Sequence, residues 1–345
     1  MASPQTGIFA LGTNSHAYLE LDLVADAQPS EAVARIAALR EPRTTIGGVN
    51  LVTGFRPELW AAVAPDAAPP GVVGFDEPLI GPTGYVLPAT QHDAVIWLTG
   101  SGYAAVFDLS RGIVTELAEV ATPANGMVGW SYHHDRDLTG FIDGTENPPL
   151  MEAMRVALIP PGLAGEGGSI LLVQQWEHDA VGWEQLPVAA QEGFIGRRKA
   201  DSAELNPLPP ASHVARTDQE RLGKIFRRNI AYGTLTHHGT IFRGVQPRPG
   251  HAPDDAGEHA RRRWWPGQAA RRHPPVDRRL TPHPIGRSAG CLRWRGRSAW
   301  LTHGRPFGKA LSRQQQVIRW RHEVPDEAAR ERPCAHDAIH RRGMH

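Results

Sequence analysis

Asp143 lies among glycines in the stretch Gly140-Phe141-Ile142-Asp143-Gly144-Thr145-Glu146-Asn147-Pro148. Glycine permits positive φ where a chain must bend, and it lets backbone approach a flat ligand closely. A carboxylate fixed in such a bend can take and return a proton, which is general acid–base chemistry. The plain alternative is a surface turn, since Gly, Thr, Asn and Pro are turn residues. Two further features add chemistry. Arg227 and Asn229 stand two apart in Lys224-Ile225-Phe226-Arg227-Arg228-Asn229. On a strand that spacing puts both side chains on one face and turns Arg228 to the other. A fixed guanidinium there would stabilise negative charge developing on a reacting oxygen. Histidines stand at His133, His134, His213, His237 and His238, and a lone one such as His213 is more often a hydrogen-bonded surface or core residue than a metal ligand.

These residues need elements to hold them. Gly7–Gly12 and His16–Leu23 read as strands; in the second, Leu19, Leu21 and Leu23 alternate with Glu20 and Asp22. A helix is expected from Pro29, with Ser30 as N-cap and Val33, Ile36 and Ala37 on its apolar face. Val49–Phe55 reads as a strand, Pro57–Val63 as a short helix and Asp93–Thr99 as a strand. Ala104–Val120 reads as a helix with Val106, Leu109, Ile113 and Leu117 in phase. In the second half, strands are expected near Arg155–Ile159, Ser169–Trp176 and Lys224–Arg228, and a helix near Glu184–Ile195. Ile159–Gly168, rich in Pro and Gly, reads as a surface loop. The order fits an α+β fold built from two ferredoxin-like domains, each an antiparallel sheet with helices on one face. The boundary is expected near Pro123–Trp130, giving residues 1–125 and 126–242.

The net charge of +1 over 345 residues conceals a break. Met1–Phe242 holds 15 basic and 27 acidic residues; Arg243–His345 holds 22 basic and 9 acidic. The tail also carries both cysteines, Cys291 and Cys334, and 9 of the 17 histidines. Its Val, Ile and Leu total 11, too few for an ordinary core. This break points to an out-of-frame, irregular and disordered tail after about residue 242, leaving the second domain incomplete. One permitted codon set for Val245–Ala260, read one base out of phase, gives Phe-Ser-Arg-Asp-Gln-Ala-Thr-Leu-Gln-Thr-Met-Leu-Glu-Ser-Met, with Leu and Met at helical spacing. The rival reading is a nucleic-acid arm, with Arg and Trp interleaved in Arg261–Trp265, Arg293–Arg295 and Arg319–Arg321. GC-rich DNA read out of frame yields the same residue types, which favours the first reading. The tail has no Cys-x-x-Cys pair of the zinc-binding kind. The start, Met1-Ala-Ser-Pro-Gln-Thr, lacks a basic n-region, and neither a twin-arginine leader nor a membrane-length apolar run is present. The expected location is therefore the cytoplasm, without a membrane association.

The Gly140–Pro148 stretch resembles the signature of the dye-decolorizing (DyP-type) haem peroxidases. Other segments follow in that family's order: Gly47–Leu51, Gly54–Trp60, Pro88–Asp93, Ile195–Ser202, Ser212–Arg216, Lys224–Asn229 and Tyr232–Thr234. The resemblance runs from about Gln5 to Phe242 and is nearest to the bacterial cytoplasmic type. Arg198 departs from it, standing where the family usually has Thr. The resemblance implies a haem b (iron protoporphyrin IX) enzyme that uses hydrogen peroxide to oxidise dyes, phenols or similar one-electron donors. It implies His213 as proximal iron ligand, Asp143 and Arg227 as the distal pair, and Asn229 as a distal amide. It implies Arg197 at a haem propionate, with Ile142 and Gly144 against the cofactor. Members often form homo-oligomers, and some enter encapsulin shells through a C-terminal targeting peptide; none is legible in this tail. The alternative is a haem-binding protein with little turnover, or a chain inactive because of its aberrant C-terminus.

Overall fold

The computed structural model describes residues 2–42, 48–80, 86–219, 223–247, 292–302 and 305–306. Its strands are β1 (Ala2–Ser3), β2 (Ser15–Leu23), β3 (Val49–Phe55), β4 (Leu79–Ile80), β5 (Val86–Leu87), β6 (Ala94–Gly100), β7 (Ala121–Trp130), β8 (Ser169–His178), β9 (Phe226–Arg227), β10 (Ile230–Gly233), β11 (His238–Gln246), β12 (Leu292–Thr302) and β13 (Arg305–Pro306). The helices are α1 (Pro29–Ala38), α2 (Pro57–Val63), α3 (Tyr103–Leu117), α4 (Leu150–Ala157), α5 (Ala180–Glu184), α6 (Val188–Ile195) and α7 (His213–Arg216).

Two half-sheets share one plan. The first runs β7-β2-β6-β3, with α1 between β2 and β3 and α3 between β6 and β7. The second runs β12-β8-β11-β10, with α5, α6 and α7 between β8 and β10. Numbered within each half, both orders are 4-1-3-2, the ferredoxin-like arrangement. The halves join at both edges. Leu301 and Thr302 of β12 pair with Phe55 and Gly54 of β3, and Ala231 and Tyr232 of β10 pair with Trp130 and Gly129 of β7. All these pairings are antiparallel, so the ring closes into a barrel that pairs the outer strands of the two half-sheets with each other.

Strand alternation divides the core. From β6, Ala94, Ile96 and Leu98 face α1 and α3, meeting Ile36, Val106, Ile113 and Leu117. Val95 and Trp97 turn into the barrel, meeting Tyr18, Val52, Leu171, Val173, Ile241 and Val245. Burial on both faces is why β6 is a continuous apolar run. Each fully buried residue of this size stabilises the fold by roughly 2 kcal/mol.

Several sequence expectations need correction. Gly7–Gly12 is not a strand. Thr6–Phe9 forms a 3-10 turn, and a side chain at Gly7 would lie 2.7 Å from Val52 Cγ2. Arg155–Ile159 is not a strand either; it overlaps α4, which buries Ala153, Val156 and Ala157 at helical spacing. The Glu184–Ile195 helix is interrupted, because Pro187 starts α6 after α5 has ended. The N-cap of α1 is Gln28, with Pro29 and Ser30 already inside the helix. Pro123–Trp130 is part of strand β7 and pairs along β2. The tail is not irregular from its first residue. Arg243–Gln246 continue β11, and Leu292–Thr302 fill the fourth-strand place of the second half beside β8. The rest of the expected disordered tail, and Gly47 of the family-like segments, lie outside the described residues.

Candidate active site

The Gly140–Pro148 stretch is a bend held by its own backbone. Asp143 N–H donates to Asp135 O at 2.7 Å, and Asn147 N–H donates to Gly144 O at 2.9 Å. Gly140 and Gly144 take φ values of +86° and +73°, which side-chain-bearing residues rarely adopt. A Cβ on Gly140 would meet Lys199, and one on Gly144 would meet the Asn147 amide. His134 and Asp135, just upstream, also have positive φ, at 48° and 60°. Such strain in non-glycine residues concentrates at functional sites.

Asp143 is only partly accessible, and protein surrounds it closely. Burial pushes its carboxyl pKa up, while Arg227, the Gly144 N–H, Asn229 and Arg243 oppose the rise. Its Oδ1 accepts from Gly144 N–H at 2.8 Å and from Asn229 Nδ2 at 3.0 Å. Asn229 Oδ1 in turn accepts from the Arg243 N–H at 3.3 Å. That bond fixes which end of the Asn229 amide faces the acid.

Arg227 ends β9 and pairs with Gly244 of β11. Its Nε is buried, with no hydrogen-bond partner among the described residues. Arg228 turns the other way, as the alternation requires: it donates to Ile8 O at 3.2 Å and to Ala10 O, with its guanidinium over Trp97 at 5.9 Å. Asn229 lies past the end of β9, so its approach to Asp143 comes from the β9–β10 connection and not from a strand face shared with Arg227.

His213 is the first residue of α7, which Ser212 caps by accepting from Ala215 N–H at 3.3 Å. The His213 side chain is accessible to solvent, with protein packed around it. Enclosure, and then the Arg227 guanidinium, lower its pKa to about 4. The ring is therefore neutral near pH 7 and has a lone pair to give. The same guanidinium acts on Asp143, so imidazole, cation and acid share one electrostatic neighbourhood. Arg197 bonds Glu146 of the signature bend, Glu204 at 3.5 Å and Ser202 O at 2.9 Å. Ile142 makes an isolated bridge with Arg136 beside Asp143. The alternative histidines are placed differently. His133 and His134 are exposed, His237 pairs with Glu177 at 3.2 Å, and His238 bonds Thr234 O at 3.1 Å.

Sequence reading missed three residues. Asn147 bonds the backbone of Arg227 on both sides, and nothing in an Asn-Pro dipeptide distinguishes that from a turn. Asp137 is raised to about 6, chiefly by burial. Arg243 is fully buried inside the barrel over Trp97 at 4.2 Å, beside Tyr18, with no hydrogen bond of ordinary geometry to its guanidinium among the described residues. It stands at the point where the charge break begins.

Residues 134–253 match the family model described as "Dyp-type peroxidase, C-terminal". The match passes the position at which the charge and composition change. A dye-decolorizing peroxidase of Mycobacterium tuberculosis (strain ATCC 25618 / H37Rv) is 30% identical over 264 residues, covering 72% of this chain and 77% of that one. One from Brevibacterium linens is 31% identical over 207 residues, and the match spans 55% of that relative's length. A heme-bound variant of Rhodococcus jostii RHA1 DypB superposes with a TM-score of 0.72 at 27% identity, over 88% of this chain and 96% of that one. A dyp-type peroxidase protein from Shewanella oneidensis superposes with a TM-score of 0.71 at 23% identity, over 88% and 97%, and shows the shared fold. The chain belongs to the dye-decolorizing peroxidase family.

Proposed function

We propose that the chain is a haem peroxidase that reduces hydrogen peroxide with electrons from dyes, phenols or similar donors. The observation that carries this reading is the Arg227 guanidinium, which acts at once on the Asp143 carboxyl and the His213 imidazole. Acid, cation and neutral imidazole thus share one electrostatic neighbourhood.

The residues fit a haem. Among the described residues, no three His, Cys, Asp or Glu side chains gather as a metal cage. A single neutral imidazole therefore suits an iron whose other ligands come from a porphyrin. His213 would hold that iron, Arg197 would meet a propionate, and Ile142 and Gly144 would lie against the ring. When bound, haem supplies the iron that takes up peroxide and stores its oxidising equivalents. Asp143 removes the proton from one peroxide oxygen and returns it to the other, directly or through water. Its raised pKa makes it a better proton acceptor than a free carboxylate. Arg227 stabilises the negative charge on the departing oxygen in a site of low dielectric. Asn229 keeps the acid turned toward that oxygen. Two electrons and two protons then complete the conversion to water, the electrons arriving singly.

Division into an N-terminal half and a C-terminal half carrying the site belongs to the same reading, as do a cytoplasmic location and a homo-oligomer. No helix among the described residues is long and apolar enough to cross a membrane. An encapsulin-targeting peptide would fall outside the described residues, and so would the nucleic-acid-like Arg/Trp runs Arg261–Trp265 and Arg319–Arg321. The test is peroxide-driven oxidation of an anthraquinone dye by haem-loaded full-length protein. Asp143→Asn and Arg227→Leu should each lower the rate with peroxide at an unchanged haem band.

A further inference from the structure

We propose that Asn147 is a positioning residue that clamps the backbone of Arg227 and so sets where its guanidinium stands relative to Asp143. The inference rests on the reading of Arg227 as the distal cation.

β9 is short and pairs with β11 on one side only: Gly244 lies opposite Arg227, and Val245 opposite Phe226. Along a strand, successive residues turn their N–H and C=O groups to opposite sides. Arg228 N–H goes to β11, donating to Arg243 O at 2.9 Å. Arg227 N–H and C=O accordingly face away from β11, toward an edge where no further strand lies among the described residues. Asn147 fills that edge. Its Oδ1 accepts from Arg227 N–H at 2.8 Å, and its Nδ2 donates to Arg227 O at 2.8 Å. The primary amide thus reproduces the two bonds that a neighbouring strand would make.

The consequence is geometric. Asn147 lies four residues after Asp143 in the same bend, and its own N–H is tied to Gly144 O at 2.9 Å. A carbon placed on Gly144 would meet the Asn147 amide at 3.1 Å, so the glycine leaves the amide the space it occupies. The acid and the cation come from segments more than eighty residues apart. The Asn147 amide and the Asn229–Asp143 bond tie those segments together next to the acid and the cation. The primary amide of Asn presents a donor and an acceptor side by side from one planar group, and Gln would set them one methylene further out.

Backbone hydrogen exchange tests the clamp without reference to turnover. In the full chain, Arg227 N–H should exchange as slowly as Arg228 N–H. In Asn147→Ala, the Arg227 amide should exchange about tenfold faster or more, while Arg228, still bonded to Arg243, stays protected. The haem-loaded variant should keep its absorbance band and react with peroxide about tenfold or more slowly, because small misplacements at a reacting centre are costly. Free exchange at Arg227 in the unaltered protein would overturn the proposal. So would equal acceleration of both amides in the variant, which would indicate general loosening. An unchanged peroxide rate in Asn147→Ala, where Arg227→Leu lowers it, would overturn positioning. If Arg227→Leu itself leaves the rate unchanged, the reading of Arg227 fails, and the proposal falls with it even where exchange shows the clamp.

Discussion

Asn229 Nδ2 lies 3.0 Å from Asp143 Oδ1, and the Arg243 N–H holds the other end of that amide at 3.3 Å. The acid therefore has a donor whose orientation the barrel backbone sets. Asn229→Ala removes that donor, and the carboxyl pKa, already raised by burial, rises further. Asp143 must be ionised to accept a proton. The acidic limb of the peroxide rate should thus move to higher pH, and the plateau should drop about tenfold, the loss of one strong hydrogen bond. Stopped-flow mixing with peroxide across pH 4–8 measures both; an unmoved limb would show that Asn229 does not tune Asp143.

Asp143→Asn keeps the shape of the acid and removes its proton transfer. The rate constant with peroxide should fall by roughly a hundredfold to ten-thousandfold, the range for a positioned general base. Imidazole or formate added to the variant should restore part of the loss. A variant with full activity would remove Asp143 from the reaction.

Arg243 is a charge inside the barrel beside the Tyr18 hydroxyl, and among the described residues its guanidinium nitrogens make no hydrogen bond of ordinary geometry. It rests over Trp97 at 4.2 Å and Tyr18 at 5.3 Å, and burial lowers its pKa to about 10. Stacking on rings compensates only part of the desolvation. Arg243→Met, which fills similar volume, should stabilise the protein by about 1–4 kcal/mol in urea unfolding. A loss of stability would mean that the cation has a partner in solution. This misfit begins where the basic composition begins. It supports our proposal that the reading frame is broken near this point, and sequencing the gene around codon 242 checks that directly.

His16 is buried against Trp97, whose Nε1 lies 3.4 Å from His16 Nδ1, and its pKa is held down to about 2 by burial and by Arg243. A histidine with a lowered folded pKa stays neutral in the fold but takes up a proton on unfolding. The stability it contributes is present above its unfolded value of about 6.5 and is lost as pH falls toward the folded value. Between pH 6 and pH 4, unfolding should take up one more proton in the unaltered protein than in His16→Gln. The slopes of stability against pH should then differ by about 1.4 kcal/mol per pH unit. Parallel slopes would contradict the burial of a neutral His16.

The first half of the fold was legible because its patterns are strong. Leu19, Leu21 and Leu23 alternate, and Val106, Ile113 and Leu117 recur at helical spacing, so β2 and α3 could be read directly. β7 was read as a boundary because Pro123, Gly126 and Gly129 interrupt any alternation; its pairing with β2 is a tertiary decision. β12 was missed because arginines fill its sequence, and its place is set by the gap between β3 and β8. At the site, residue types and their order pointed to Asp143, Arg227, Asn229 and His213. The strand-face argument for Arg227 and Asn229 did not hold, since β9 ends at Arg227. Asn147 was invisible because its role lies in where its amide meets a backbone eighty residues away.

We propose that His213 holds the iron of a haem beside Asp143 and Arg227. Haem titration into full-length protein and His213→Ala, recording the Soret region with the ferric ligand-field bands, tests this assignment. Stoichiometric uptake with a histidine-ligated spectrum is expected in the unaltered chain, and weak uptake with shifted bands in the variant. Identical spectra and affinities in the two proteins would contradict it.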